Sequence, residues 1–207
     1  MSTALSLSAD HAATLSSTFG ADILLVTEFR GETSVSVSPS RLREVALFCR
    51  DSLGYDLLLD LCSVDHHGSD PRFEVIYELL SLKGNVHLRL KSPVPEDNAE
   101  IESVTDVWAT ANWHEREVWD MMGIRFLNHP DLRRILMWEG YPHHPLRKEF
   151  PLGGIPTDVP ELAFTEEAPL AGGPFVTIPT EGNTEVREPR ARTAGEIPTK
   201  ATFIAEP

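Results

Sequence analysis

The sequence is poor in the residues that carry redox chemistry or hold metals. Its 207 residues include only two cysteines, Cys49 and Cys62, with no CxxC pair. An iron–sulfur cluster takes four thiolates and a structural zinc four ligands at motif spacing, so neither fits. The expected state of both thiols is reduced and buried, as in a cytosolic protein. Positive charge is short as well: 18 Lys and Arg stand against 32 Asp and Glu, for a net charge of −14. Phosphate binding needs a positive face, so this balance speaks against nucleic acid. Arg133, Arg134, Arg147 and Lys148 remain as a local basic patch. No window approaches the roughly 20 apolar residues of a spanning helix, and the first residues lack the basic and apolar regions of a secretory signal. GxSxG, GxGxxG and the P-loop are missing too, which removes nucleophile-elbow and phosphate-cradling chemistry.

What is present describes a globular domain with extensions. Hydrophobic residues make up 41% and charged residues 24%, the balance of an ordinary soluble core. Weak helical spacing of Leu5, Ala9, Ala12 and Leu15 predicts a helix over 2–18, ended by Gly20. Residues 22–29 and 33–37 read as a hairpin about the Arg30-Gly-Glu turn. Ser38 and Pro39 then start a helix whose apolar face is Leu42, Val45, Ala46, Cys49 and Leu53. Residues 55–64 are apolar enough for a central strand, and 65–71 form a loop of turn formers. Residues 73–82 and 86–90 alternate as strands around Lys83-Gly84-Asn85, and Pro93-Val-Pro95 ends the second. Two helical pieces, 103–110 and 112–122, follow. The order ββαβββ with tight turns predicts an α+β fold: an antiparallel sheet with helices packed on one face. The expected layout is an N-terminal helical segment (1–19), the α+β domain (20–125), an irregular segment (126–152) and an extended or disordered Pro-rich C-terminal arm (153–207). Nine of the 16 prolines lie from Pro151 onward, where hydrophobic periodicity stops, so this arm cannot build its own core.

The stretch from Trp113 to Leu152 is the densest in chemistry. It holds three of the four tryptophans together with mixed charges and four histidines. His114-Glu115 suggests a zinc-protease helix, but the second His would fall at position 118, which is Val. His129, Asp131 and His144 are a possible ligand set for a stand-alone metal-dependent hydrolase. Against it, His129 and His144 each precede a proline, which holds their backbone extended at a turn. Glu115, Glu117 and Asp120 offer carboxylates for acid–base work but have no nucleophile motif beside them. An interface explains tryptophan, arginine and acid mixed at this density better than either.

Glu115-Arg-Glu-Val-Trp-Asp-Met-Met-Gly-Ile124, Phe126, His129-Pro-Asp-Leu-Arg-Arg-Ile-Leu136 and His144-Pro-Leu-Arg-Lys-Glu-Phe-Pro151 together resemble a family signature, that of the C subunits of bacterial NADH-quinone oxidoreductase, respiratory complex I. Asp65, the strand at 73–82 and Ser103-Val-Thr-Asp-Val-Trp108 are similar to the family's upstream pattern, so the resemblance spans most of residues 20–152. Trp119, Met122, His143 and Glu149 depart from the usual residues without altering the charge pattern. The resemblance implies a non-catalytic scaffold in the peripheral arm that holds no cofactor itself. Iron–sulfur clusters, FMN and quinone would sit in partner subunits. Its neighbours would be the large D subunit, which builds the quinone site, and the iron–sulfur B subunit, on the cytoplasmic side of the inner membrane. Glu115, Arg116, Glu117, Asp120, His129, Asp131, Arg133, Arg134, His144, Arg147 and Lys148 would then be interface residues. A homologous place in a membrane-bound hydrogenase or a ferredoxin-fed complex fits the same residues.

Overall fold

Alternating burial builds the platform on which the charged segment rests. The computed structural model describes residues 2–152 and 155, with side chains from Leu7 onward. It divides into one unit, Met1–Lys148, and a second, Glu149–Pro207, of which 149–152 and 155 are described. The expected arm over 153–207 otherwise lies outside the described residues.

Helix α1 (Ser2–Phe19) precedes a hairpin of β1 (Ile23–Phe29) and β2 (Glu32–Val37), and then come α2 (Leu42–Asp51), β3 (Leu57–Asp65), β4 (Phe73–Ser81) and β5 (Val86–Val94). A short strand β6 (Glu100–Glu102), helix α3 (Ala111–Met122) and a short strand β7 (Arg125–Leu127) complete the order. The expected ββαβββ succession is therefore present. In β4 every second residue, Phe73, Val75, Tyr77 and Leu79, is buried, and Val86, Leu88 and Leu90 of β5 continue that face. The buried stripe of α2 (Leu42, Val45, Ala46 and Cys49) and Leu15 of α1 join the same core.

Several expectations change in the sheet. Its order is β1-β2-β5-β4-β3, so β3 is an edge strand and β5 is central. All pairings are antiparallel except β2 with β5, which run parallel because α2, β3 and β4 intervene before β5 returns beside β2. Pro93 does not end β5 but pairs opposite Glu74. The β2 ladder stops at Lys91, so at Pro93 only β4 runs alongside, and a missing N–H is tolerated as at an edge. Cys49 is buried, and burial pushes its thiol pKa up, but Cys62 is exposed. The register shift of β3 between Leu58 and Asp60 carries Cys62 outward. Ser38 and Pro39 do start a helical turn, the short 3-10 helix Pro39–Arg41 ahead of α2, but the Ser38 hydroxyl caps no N–H and meets that of Ser40 at 2.9 Å instead.

The helix expected over 103–110 is not formed. Ser103 instead donates its N–H to the Leu127 carbonyl at 2.9 Å, extending the small parallel pair β6–β7. The cap-like Ser-Val-Thr-Asp sequence is diverted by a carboxylate from α3, described next. Helix α3 lies along β3, with the Thr110 hydroxyl donating to the Leu58 carbonyl at 3.3 Å and His114 facing Asp60 at 3.3 Å.

Candidate functional site

Helix α3 presents two fully buried carboxylates, Glu115 and Asp120, and each organises the chain on its own side. Glu115 accepts the Ser103 hydroxyl and the Val104 N–H, both at 2.7 Å. Burial raises its pKa to about 7, against the lowering effect of these two bonds. The buried His129 ring lies 3.9 Å away. His129 donates from Nε2 to the Asn112 carbonyl at 3.2 Å and accepts the Asp131 N–H at Nδ1 at 3.0 Å. That pattern fits the neutral ring, and burial lowers its pKa in the same sense.

Asp120 faces the opposite balance. Burial alone would raise its pKa, but the N–H groups of Met137, Leu136 and Ile135 (3.0, 2.8 and 3.0 Å) and the Arg134 guanidinium outweigh it and hold the pKa below the ordinary value. Arg134 donates further to the carbonyls of Asp120 (3.0 Å) and Tyr141 (2.7 Å), with the rings of Trp119 and Tyr141 at 5.6 and 5.8 Å. His144 donates from Nδ1 to the Asp120 carbonyl at 3.1 Å, and burial lowers its pKa. Arg147 donates to the Met122 carbonyl at 2.7 Å and stacks 5.2 Å from the Phe73 ring. Gly123 ends α3 in the left-handed region at φ +76°. A Cβ there would stand 2.5 Å from His144 Nε2 and 2.7 Å from an Arg147 terminal nitrogen.

A third buried carboxylate fastens the far end. Asp65 takes both forks of Arg72 at 2.8 Å and the Lys148 N–H at 2.8 Å. The Arg72 bonds hold its pKa down at about 2. Sequence reasoning puts Asp65 in a loop and passes over Arg72. The available signal is an Arg directly before an alternating strand, seven residues beyond an Asp that ends the preceding one.

The expected interface residues thus separate into two groups. Glu115, Arg116 and Asp120 are buried; Arg134, His129, His144 and Arg147 are partly enclosed, and the four carry hydrogen bonds within the chain. Glu117, Asp131, Arg133 and Lys148 are exposed, and Arg133 pairs with Asp131 at 3.0 Å. Large apolar side chains emerge among them: Trp113 is 64% exposed, and Leu136 and Leu146 are more than half exposed. Between α3 and the 132–140 stretch lies a cleft of about 660 Å³ walled by Trp113, Trp119, Leu132 and Ile135, with Arg116, Arg133 and Arg134 among its lining. His129, Asp131 and His144 do not bring three ligand atoms together. The hydrolase reading fails on geometry, because the two rings are turned to the carbonyls of Asn112 and Asp120.

The fold is that of one component of a respiratory enzyme. A solved trypsin-resistant fragment of Nqo5 superposes with a TM-score of 0.52 at 30% identity, covering 58% of this chain and 97% of the fragment. A chain of the membrane-bound sulfane sulfur reductase, an archaeal respiratory membrane complex, shares the fold at a TM-score of 0.60 and 19% identity, covering 70% of this chain and 86% of that one. The family described as the 30-kDa subunit of respiratory-chain NADH dehydrogenase matches residues 35–156, and the chain belongs to it. The NADH-quinone oxidoreductase C subunit of Geobacter sulfurreducens is 49% identical, covering 66% of this chain and 85% of that protein. The C subunit of Rhizobium meliloti that bears the number 2 is 41% identical, covering 78% and 96%.

Proposed function

We propose that this chain acts as the C subunit of an NADH-quinone oxidoreductase, as a scaffold in the peripheral arm that supports electron transfer from NADH to quinone coupled to ion translocation. Membership of the 30-kDa family supports the complex. The observation that carries the scaffold role is the character of the signature segment. Its buried charges are engaged with the chain's own backbone, while Trp113, Leu136 and Leu146 are offered outward. Fixed aromatic and aliphatic anchors beside exposed charge are the anatomy of a docking surface.

In this reading the chain contributes no catalytic residue and holds no cofactor. Iron–sulfur clusters, FMN and quinone belong to partner subunits. The large quinone-site D subunit and the iron–sulfur B subunit are the neighbours, on the cytoplasmic face of the inner membrane. No helix among the described residues is long and apolar enough to cross a membrane, which suits a peripheral place. Arg147, turned inward to Met122 and Phe73, serves folding first; Trp113, Glu117, Arg133, Leu136 and Lys148 are better partner contacts.

The test is affinity isolation through a tag on this chain, expressed in its own cells, with mass spectrometry of what accompanies it. Recovery of the quinone-site and iron–sulfur partners in equal amount with the chain is the expected result. Recovery of the chain alone overturns the reading.

A further inference from the structure

The arginines of the signature segment are not equivalent. Arg133 pairs with Asp131, Arg134 with Asp120, and Arg147 donates to the Met122 carbonyl. Arg116 is the most deeply placed of them, with 6% of its surface exposed. Its Nε–H donates to the Arg133 carbonyl at 3.1 Å, and its guanidinium stands 5.0 Å from the centre of the Trp113 ring. Among the described residues no carboxylate lies within ion-pair distance of it. The nearby acids are engaged: Glu115 by Ser103 and Val104, Asp120 by Arg134, Asp131 by Arg133.

A buried guanidinium without a counter-ion is an unfavourable arrangement for a finished interior. It is a favourable one for a site that receives an anion from outside. Arg116 lines the cleft between α3 and the 132–140 stretch, so its two terminal nitrogens have a way to a ligand. The Nε bond and the Trp113 stack hold the planar fork in place, which is the preorganisation that two-point recognition of a carboxylate requires. The walls select the kind of anion. Trp113, Trp119, Leu132 and Ile135 are apolar, and the cleft has room for several side chains. A small free anion would leave Trp113 in water. A peptide carboxylate with apolar neighbours covers it. Of the lining arginines, Arg133 and Arg134 already hold Asp131 and Asp120, and the charge of Arg116, still without an acid among the described residues, favours an acidic occupant.

We propose that this cleft receives an Asp or Glu side chain of a neighbouring protein in the complex, with Arg116 forking onto the carboxylate between Trp113 and Trp119. The proposal rests on the functional reading given above and names the chemistry of one partner contact.

Arg116→Lys places a primary amine in the cleft, and a carbodiimide then joins that amine to any carboxylate in contact with it. The tagged full chain, unchanged or carrying Arg116→Lys or Arg116→Glu, is isolated with its complex, and the folding of each variant is followed by thermal melting. The expected result is a cross-link from position 116 to an Asp or Glu of another protein of the complex. Arg116→Glu, if folded, is expected to lower the fraction of chain retained in the complex at least tenfold. A folded Arg116→Glu chain retained like the unchanged one overturns the proposal. So does a cross-link to a carboxylate of this same chain, or no cross-link from position 116. Where Arg116→Glu does not fold, the cross-link decides alone. If even the unchanged chain brings no partner, the functional reading fails and takes this contact with it. Partners retained without the cross-link defeat only the contact.

Discussion

In β4 the four alternating buried residues from Phe73 to Leu79 carry no charge, whereas in the 128–148 stretch the residues that hold the chain in place are mostly charged. The sheet gains from removing apolar area from water, and its backbone polar groups are met by the ladders. The later stretch has no helix or strand to meet its polar groups. It answers that need with Asp120 for three N–H groups and with Arg116 and Arg134 for the carbonyls of Arg133 and Tyr141, while His144 and Arg147 tie the stretch to the last carbonyls of α3. Charge here substitutes for secondary structure. It also explains how an irregular segment can present Leu136 and Leu146 in a fixed place without a core of its own.

The 128–148 stretch is most vulnerable at Asp120. Asp120→Ala strips the acceptor from three N–H groups and leaves Arg134 enclosed without its partner. A loss of about 4 kcal/mol is expected in denaturant unfolding of the chain. Gly123→Ala comes next, at about 2–3 kcal/mol, since a Cβ meets His144 and Arg147 and the left-handed φ is strained for Ala. Its melt should lose the 128–148 stretch before the sheet.

Glu115 makes stability depend on pH. Its folded pKa of about 7 lies above the unfolded value, so its stabilising contribution is full below about pH 4.5 and lost as pH rises through 7. Glu115→Gln cannot titrate. The stability difference, variant minus wild type, should therefore move toward the variant by up to about 3 kcal/mol between pH 4.5 and 8. Asp65 and Asp120, with lowered values, contribute the opposite dependence at lower pH, lost as pH falls through their folded pKa. The smallest effect concerns the core itself. The buried Tyr77 hydroxyl has no partner among the described residues, so Tyr77→Phe should be neutral or stabilising by up to about 1 kcal/mol in thermal melting.

Much of the sheet was legible because alternation and turn residues are local signals. The hairpin at Arg30-Gly31, the buried face of β4 and the stripe of α2 follow from period and punctuation alone. Strand order was not legible: nothing local says that β5 returns beside β2 and leaves β3 at the edge. The 103–110 stretch misleads for a related reason. Its cap-like residues are answered by Glu115, more than ten positions away, and not by the first turn of a helix. At the candidate site the residues were legible, but the direction of each charge was not. Glu115 and Asp120 have the same alphabet as surface acids, and only the three-dimensional register turns them inward while leaving Glu117 outside.

Asp120, rather than secondary structure, fixes the 128–148 stretch. Amide hydrogen exchange on the intact chain addresses this directly at Ile135, Leu136 and Met137. In the wild type these three N–H groups should be protected to within about tenfold of the β4 amides. In Asp120→Ala they should exchange at nearly unprotected rates while β4 remains protected. Fast exchange at these positions in the wild type, or unchanged protection in the variant, would contradict it.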